Sequence, residues 1–298
     1  MPGYGRRFFR ACLPCAGIPT RGIIYPSFAC RLDRQLNPIN GRIVAHQHLQ
    51  FLPAGERTNS TGKAIKNRIL LSIPDSEYRC IRPHLEFVDL PHHLKLHEPH
   101  QSMQFAHFLN EGLISLVVVL NGGKTVEAGI VGREGFVGIP AIAGLSRSPL
   151  LEVMQIAGDG FRVPASALRD ILRSAPELNR LLQRYAVILG LQVAQTAGCN
   201  RLHGIEQRLA RWLLMAQDRV DSEILPLTHD FLATMLGTDR PSVTLAAGIL
   251  QKNQIIEYNR GAVRILNRGE LEKVACECYA IIQQYSDVNE LSPSLTQS

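Results

Sequence analysis

Between residues 87 and 163 the apolar positions come in short runs that are separated by turn residues. The runs cover residues 87–90, 105–109, 113–120, 126–131, 151–156 and 160–163. Asn121-Gly122-Gly123 lies between two of them, and this combination is typical of a β-hairpin turn. Many short strands at such close spacing predict an antiparallel β-roll or barrel. Upstream, a short helix is predicted to end at Pro74, and Asp75 is expected to open another helical turn.

The hydrophobic period changes at Ser174, where Ser174-Ala-Pro-Glu177 has the spacing of a helix capping box. The helix that follows has an apolar stripe formed by Leu178, Leu182, Tyr185, Leu189 and Val193, and a second apolar face formed by Leu181, Ile188 and Leu191. A helix with two apolar faces must be covered on both. We expect one face to pack on the roll and the other on the same helix of a second copy, in a two-fold homodimer. The alternative is a helix buried within one chain.

Residues 227–250 have the pattern of two short helices joined by a tight turn. Thr228 can cap the first helix, and Gly237 can end it. Thr238 or Asp239 can cap the second helix, where Pro241 is tolerated in the first turn. The inner faces are apolar, with Phe231, Leu232, Met235 and Leu236 in the first helix and Val243, Ala246, Ala247 and Leu250 in the second. This pattern predicts a helix-turn-helix.

The apolar runs 255–258 and 262–266 flank Asn259-Arg260-Gly261 and predict a hairpin, or wing, and a last helix is predicted over residues 268–285. In such a unit the start of the second helix enters the major groove of DNA. Arginine can bind guanine through two parallel hydrogen bonds, and hydroxyl groups suit phosphates. The candidate DNA-binding residues are Thr228, Thr238, Arg240, Ser242, Val243, Thr244 and Arg260. The alternative is a helical hairpin without a nucleic-acid role.

Charge is distributed unevenly along the 298 residues. The formal net charge is +6 for residues 1–62, +3 for residues 63–202 and −3 for residues 203–298. The winged segment is therefore not basic on average, and any DNA site must depend on locally clustered charges. The seven cysteines are irregularly spaced, which favours a reducing cytosol over a secreted disulfide scaffold. No apolar stretch is long enough to span a membrane.

Over about residues 65–285 the chain resembles the Crp/Fnr family of transcription regulators, most strongly over residues 227–266 and at Glu277-Cys-Tyr279. The resemblance implies a cyclic-nucleotide-binding-like β-roll, a dimerising helix and a winged helix-turn-helix. Arg240 matches the family's guanine-reading arginine. Pro241 replaces a glutamate that commonly reads cytosine, and Leu245 replaces a basic residue found in some members. We therefore expect the family's binding mode and leave the operator sequence open.

The resemblance extends to a possible effector site in the roll. Residues 132–138 resemble the start of the family's phosphate-binding cassette, and Arg147-Ser148 resembles the pair that holds a cyclic phosphate. Arginine beside a hydroxyl and turn amides can hold an anion, so Gly138, Arg147 and Ser148 are the candidate effector-binding residues. The acidic residue that would bind a ribose is absent after Gly138. We expect a different small effector, or none, rather than a cyclic nucleotide.

The spacing of the cysteines and histidines does not predict a metal site or an iron–sulfur cluster. Fnr-like members bind an iron–sulfur cluster through N-terminal cysteines, but the spacing of Cys12, Cys15 and Cys30 does not match a standard cluster sequence. Cys276 and Cys278 are two apart in the predicted last helix, so we expect them to face different directions. Six histidines are expected to form a solvated face; they are His84, His92, His93, His97, His100 and His107.

The predicted fold is α+β, with an antiparallel, jelly-roll-like β-roll as sensor domain, a long dimerisation helix and a C-terminal winged helix-turn-helix. The predicted boundaries are 1–62 for an irregular, disordered extension, 63–173 for the roll, 174–202 for the helix, 203–286 for the winged domain and 287–298 for a tail.

The predicted function is sequence-specific transcription regulation by a cytoplasmic homodimer that reads a pseudo-palindromic operator. The expected partners are double-stranded DNA, a second copy, RNA polymerase and an unidentified small-molecule effector, without a membrane. The alternative is an effector-binding or protein-interaction module whose winged domain contacts protein, which the negative balance of residues 203–298 favours. No enzymatic activity is predicted, since the sequence has no nucleophile elbow, P-loop or HExxH motif.

Overall fold

A computed structural model describes residues 56–220 and 222–286. The predictions made for residues 1–55, among them those for Cys12, Cys15 and Cys30, and for the tail at 287–298 lie outside the described residues. Within the described part, no helix combines the length and the apolar character needed to cross a membrane.

The packed structure begins before the predicted boundary at residue 62. Arg57 and Asn59 are buried, and the Arg57 guanidinium donates to the carbonyl oxygens of Leu70 at 2.6 Å and Ile73 at 2.8 Å. These carbonyls lie at the C-terminal end of α1 (Arg68–Ser72), where helix carbonyls lack intrahelical partners. Helix α2 (Asp75–Ile81) begins directly after Pro74, as the sequence predicts.

The sequence prediction of an antiparallel β-roll is confirmed. The strands are β1 (Glu86–Leu90), β2 (Lys95–His97), β3 (Phe105–Leu109), β4 (Leu113–Val119), β5 (Thr125–Val131), β6 (Phe136–Val137), β7 (Leu150–Ile156) and β8 (Gly158–Pro164), with α3 (Ile139–Ile142) between β6 and β7. They form two antiparallel sheets with the orders β1-β8-β3-β6 and β2-β7-β4-β5. Strands β2 and β6 were not predicted, because two or three residues are too few to show an alternating pattern.

Helix α4 (Ala165–Ile171) leads from the roll to the long helix α5 (Pro176–Leu202). The predicted capping box is not formed: Ala175 occupies the N-cap position without a side-chain cap. Instead, the buried carboxylate of Glu77 in α2 accepts hydrogen bonds from the backbone amides of Glu177 at 3.1 Å and Leu178 at 2.8 Å. A carboxylate at a helix N-terminus satisfies free amides and opposes the positive end of the helix dipole.

One face of α5 packs on the roll, and part of the opposite face is exposed. Tyr185 lies so close to the turn before β6 that a Cβ on Gly135 would lie 1.9 Å from its ring, so this position requires glycine. Leu181, expected on the outer face, is buried with the inner stripe, whereas Leu191 remains 47% exposed and Val187 63% exposed. The outer face is therefore apolar but narrower than the sequence pattern predicts.

The C-terminal part contains α6 (Ile205–Val220), β9 (Ile224–Leu225), α7 (His229–Leu236), α8 (Arg240–Lys252), β10 (Ile256–Asn259) and β11 (Ala262–Ile265). The three strands form one sheet in the order β10-β11-β9. The single last helix predicted over residues 268–285 is wrong: α9 (Arg268–Val274) ends at Ala275, whose backbone is extended, and α10 (Cys278–Ser286) follows after a short break. Neither proline nor glycine marks the break, so the sequence pattern did not reveal it.

Candidate DNA interface

The turn between α7 and α8 contains one residue that ends the first helix and one that caps the second. Thr228 caps α7, because its hydroxyl accepts the backbone amide of Phe231 at 3.1 Å. Gly237 ends the helix in the left-handed region, with φ of 60°. Asp239 then caps α8 by accepting the backbone amide of Ser242 at 2.8 Å. Both caps satisfy amides that would otherwise lack a partner at a helix start.

Arg240 occupies the first position of α8 and points into solvent. Its side chain is 64% exposed, and it forms an ion pair with Asp230 of α7, at 3.2 Å between Nη1 and Oδ2. The Asp230 side chain is itself 68% exposed. An exposed pair of this kind contributes at most about 1 kcal/mol. The guanidinium can therefore exchange this carboxylate for another acceptor at low energetic cost.

The hydroxyl groups near Arg240 are occupied by the protein itself. Ser242 donates its hydroxyl to the Asp239 carboxylate at 3.0 Å. Thr244 donates to the carbonyl oxygen of Arg240 at 3.0 Å, and it therefore accepts from Nδ1 of His229, also at 3.0 Å. A phosphate offers only acceptors, so in this conformation neither hydroxyl has a proton to give it. These two side chains fix the first turn of α8 and present Arg240.

The wing stands beside this turn. Its tip contains Arg260, which is exposed and has φ of 43°, followed by Gly261 with φ of 85°. Tyr258 on β10 stacks on His229 of α7, with ring centroids 3.9 Å apart. Partial burial, and then the nearby charge of Arg240, lower the pKa of His229 and favour its neutral form. The imidazole of His229, on α7, therefore contacts the wing through Tyr258 and α8 through Thr244.

Comparison with known proteins agrees with this geometry. Residues 207–274 match the family model of the Crp-like helix-turn-helix domain. The chain carries a Crp-like helix-turn-helix. The resemblance to the Crp/Fnr family inferred from the sequence is confirmed in this domain and in the overall fold.

Solved structures with this fold have low sequence identity to the chain. FixK2 from Bradyrhizobium japonicum is 13% identical, with a TM-score of 0.57 over 64% of this chain and 98% of that protein. The c-di-GMP-responsive global regulator CLP of Xanthomonas campestris is 13% identical, with a TM-score of 0.55 over 64% and 99%. A CRP-family transcriptional regulator from Thermus thermophilus, TTHB099, is 19% identical, with a TM-score of 0.53 over 63% and 96%. Among curated proteins, none matches this chain.

The structure divides the predicted DNA-binding residues into three groups. Arg240 and Arg260 are exposed, and Thr238 is half-buried. Thr228, Ser242 and Thr244 act as caps or braces, as their hydrogen bonds show. Val243 is fully buried, because it belongs to the inner face of α8, so its side chain cannot contact DNA in this conformation.

The roll contacts the Crp-like domain directly. A buried carboxyl, Glu127 of β5, accepts from the indole Nε1 of Trp212 in α6 at 2.6 Å and from the hydroxyl of Ser115 in β4. Val126, on the same strand, lies against Gly237, where an added Cβ would come within 3.0 Å of its Cγ2. The turn between α7 and α8 is thus seated on the roll. Sequence reasoning missed this contact, since nothing in a strand pattern indicates which distant helix covers it.

A second buried polar contact holds α6 to both the roll and α5. Arg219 of α6 pairs with Glu134 in the turn before β6, at 2.9 Å, with both side chains largely buried. The same guanidinium donates to Gln192 of α5 at 2.8 Å. Beside these residues a cavity of about 410 Å³ lies between α5, α6 and α10. The start of the winged domain is therefore anchored on two sides.

Two of the three predicted effector residues have hydrogen-bond partners within the protein. The backbone amide of Gly138 donates to the buried carboxylate of Glu152, and burial raises the pKa of that carboxyl to about 7. Ser148 is buried and its hydroxyl accepts the amide of Leu150 at 3.1 Å, whereas Arg147 is exposed. The amide of Gly138, which the sequence suggested for phosphate binding, is thus already hydrogen-bonded to Glu152.

The histidines between residues 84 and 107 do not form one solvated face. His97 and His107 are buried. Burial, and then the charge of nearby Arg162, lower the pKa of His107 to about 4, which keeps the ring neutral. The remaining four are exposed: His84 ends a short 3-10 helix, and His92, His93 and His100 lie in turns.

Proposed function

We propose that the protein is a transcription regulator that binds double-stranded DNA through α8 and the wing, and that it is not an enzyme. The observation that carries this proposal is the exposed guanidinium of Arg240 at the start of α8, where the Asp239 cap and the Thr244–His229 contact fix the backbone of the first turn. The start of the second helix is the part of a helix-turn-helix that enters the major groove. Arg240 would read guanine there through two parallel hydrogen bonds.

Two neighbours of Arg240 would fix the register of α8 on DNA. Arg260, at the exposed tip of the wing, would contact the phosphate backbone beside the groove, and Thr238 would contact it at the start of α8. Ser242, Thr244 and Thr228 would act indirectly by holding the backbone of the two helices. Pro241 and Leu245 have no hydrogen-bonding side-chain groups, so Arg240 would carry most of the base readout.

The active form would be a cytoplasmic homodimer formed through α5. Its outer face is apolar at Val187 and Leu191, and small residues at Gly190, Ala194 and Gly198 follow at intervals of four. Residues four apart lie on the same side of a helix, so a partner helix could approach closely there. A two-fold dimer would place its two α8 helices in successive major grooves, about 34 Å apart, on a pseudo-palindromic operator. Bound there, the dimer would contact RNA polymerase.

Regulation would pass from the roll to α7 and α8 through the contacts at Glu127 and Gly237. An effector that moved β5 would shift the turn between the two helices without a long relay. The occupied amide of Gly138 disfavours a cyclic phosphate as that effector. We therefore leave the chemical class of the effector open.

The experiment is selection of bound fragments from genomic DNA by the purified protein, repeated with Arg240→Ala. The matched control is Arg173→Ala, which removes an arginine that is 82% exposed next to α4, on the roll. The wild type and the control should enrich one pseudo-palindrome, and Arg240→Ala should lose about 10–100-fold in affinity with relaxed specificity at one base pair in each half-site. Failure of the wild type to enrich DNA at low salt would overturn the proposal and favour a protein-binding role for the wing.

A further inference from the structure

Four potential metal ligands converge where α5 meets the break between α9 and α10. They are Cys199, His203, Cys276 and Cys278, and their ligand atoms all lie within 4.8 Å of one another. The Cys199 and Cys276 sulfurs are 3.5 Å apart, and the Cys278 sulfur is 3.4 Å from Nδ1 of His203. All three cysteines are free thiols and buried. No other group of three or more such residues is found in the described parts of the chain.

The spacing suits one tetrahedral ion. Zinc–sulfur bonds of about 2.3 Å in tetrahedral geometry place two sulfurs about 3.8 Å apart. The observed separations lie on both sides of this value, so small side-chain rotations would bring four ligands to one centre. In an iron–sulfur cluster the cysteines ligate different irons and stand farther apart. Three thiolates and one imidazole are a standard set for structural zinc.

The local backbone explains how the ligands come together. Cys199 and His203 are four residues apart at the end of α5, so they share a face of the helix. Cys276 lies in the break after α9, while Cys278 is the first residue of α10. The expectation that Cys276 and Cys278 face different directions assumed a continuous helix and is therefore wrong. The break turns both sulfurs toward the end of α5.

The groups around the four ligands match the surroundings of a metal site. Nε2 of His203 lies 3.2 Å from the Glu277 carboxylate, which would orient the ring with Nδ1 toward the sulfurs. Such carboxylate–histidine pairs accompany metal-bound histidines. Gln195 contacts the Cys278 sulfur at 3.1 Å through its side-chain nitrogen. The histidine and one of the thiols are thus each held by a further hydrogen bond.

Charge in this region also favours a thiolate cluster. Arg211 is buried beside Cys199, and its hydrogen bonds go to the neutral side chains of Thr196 and Met215. The thiolate is the form of cysteine that binds metal, and the guanidinium of Arg211 supplies positive charge beside the sulfurs.

We propose that Cys199, His203, Cys276 and Cys278 bind a single divalent thiophilic cation, best matched by Zn²⁺, that ties α10 to the end of α5. The site lies where α5 ends and the winged domain begins, since His203 is followed by Gly204 and the start of α6. The ion would thereby fix the winged domain's last helix relative to the helix proposed to form the dimer. This assignment does not depend on DNA binding.

The test uses Co²⁺ as a spectroscopic stand-in for Zn²⁺ on the full-length protein, reduced and freed of metal by chelation. Tetrahedral cobalt–thiolate sites give visible absorption bands together with sulfur-to-metal charge transfer in the near ultraviolet. We expect these bands to saturate at one Co²⁺ per chain and to be abolished when Zn²⁺ is added. Absence of the bands in reduced wild type, or their appearance only after further equivalents, would overturn the proposal.

Substitutions test whether the Co²⁺ absorption bands arise from these four residues. Cys278→Ser and His203→Ala should weaken Co²⁺ binding at least tenfold, and Glu277→Gln should weaken it about tenfold. Cys80→Ser, which removes an exposed cysteine outside the cluster, should leave it unchanged. A variant with Cys12, Cys15 and Cys30 all changed to serine should also keep the bands, and loss of the bands in that variant would overturn the proposal. His203→Ala is the second test should Cys278→Ser not fold, because His203 is only half-buried.

A disulfide is the competing role for two of these sulfurs. Cys199 and Cys276 are close enough to be joined after a small rotation. Peptide mapping of the protein as isolated under non-reducing conditions would find that link. If this disulfide were found, and the reduced protein then bound no Co²⁺, the metal-site proposal would be overturned in favour of a redox-active pair of cysteines.

Discussion

Replacing Glu127 with glutamine tests the contact between the roll and the Crp-like domain. The carboxyl is fully buried between the indole of Trp212 and the hydroxyl of Ser115. Burial raises its pKa from 4.5 to about 7, against the opposing effect of both hydrogen bonds. A glutamine reproduces the protonated carboxyl, since its oxygen can accept from the indole and its amide can donate to Ser115. Glu127→Gln should therefore fold with this contact intact.

The sign of the pH dependence follows from the raised pKa of Glu127. Between pH 4.5 and about 7 the folded state holds a proton that the unfolded chain has released, so unfolding is favoured as the pH rises. The stability associated with the neutral carboxyl is complete below pH 4.5 and is lost as the pH rises through 7. Each pH unit in this interval costs about 1.4 kcal/mol, so the whole interval costs about 3 kcal/mol. Glu127→Gln lacks this titration.

The assay is urea unfolding at a series of pH values from 4.5 to 8, at a fixed protein concentration. Trp212 is the single tryptophan of the chain, so its fluorescence reports on this contact directly. The stability of Glu127→Gln relative to wild type should increase by about 3 kcal/mol over this range. The matched control is Glu86→Gln: the hydrogen bond and charge of Arg162 lower the pKa of that exposed carboxyl, so the stability of this variant relative to wild type should not increase as the pH rises through 7. Parallel curves for wild type and Glu127→Gln would refute the reasoning.

Two further predictions concern the dimer and the DNA site. Leu191→Glu should convert a dimer into a monomer, measured by light scattering after gel filtration, because it places a charge on the apolar outer face of α5; Leu145→Glu, at a 60% exposed position in the roll, should remain dimeric. Asp230→Asn should raise DNA affinity about two- to fivefold, measured by fluorescence anisotropy, since it frees Arg240 from an exposed ion pair and removes a negative charge beside the proposed DNA contact. Asp170→Asn on the roll should have no effect, and an equal change in both variants would contradict this reasoning.

The sequence predicts those elements whose signals are local. The long helix and the longer strands show their period, and Thr228, Gly237 and Asp239 mark the helix-turn-helix because capping depends on residues within three positions. The cap of α5 was not predictable, because Glu77 lies 100 residues from the amide of Glu177. For the same reason the four-ligand cluster was missed, since Cys199 and Cys276 are 77 residues apart.

The candidate DNA interface shows the same division. Exposure of Arg240 and Arg260 follows from their positions at a helix start and a hairpin tip. The roles of Ser242 and Thr244 depend on which acceptors lie nearby, and this is decided by the packing of α7 against α8. A sequence pattern identifies hydroxyl groups at the right helical turn, but it does not say whether the protein has already used their protons.

The negative balance of residues 203–298 is compatible with DNA binding because many of the acids act within the fold. Asp218 and Glu272 both pair with Arg268 at the start of α9, and Glu277 contacts His203. Asp239, although it lies at the turn itself, serves as the cap of α8, where its charge faces free amides. Phosphate binding depends on the local placement of cations, with charge averaged over a hundred residues having little bearing on it. Arg240 and Arg260 provide the local positive charge, and Asp230 is the acid in direct contact with Arg240. For this reason the charge of Asp230 should matter to DNA affinity, while the acids around Arg268 should matter to stability.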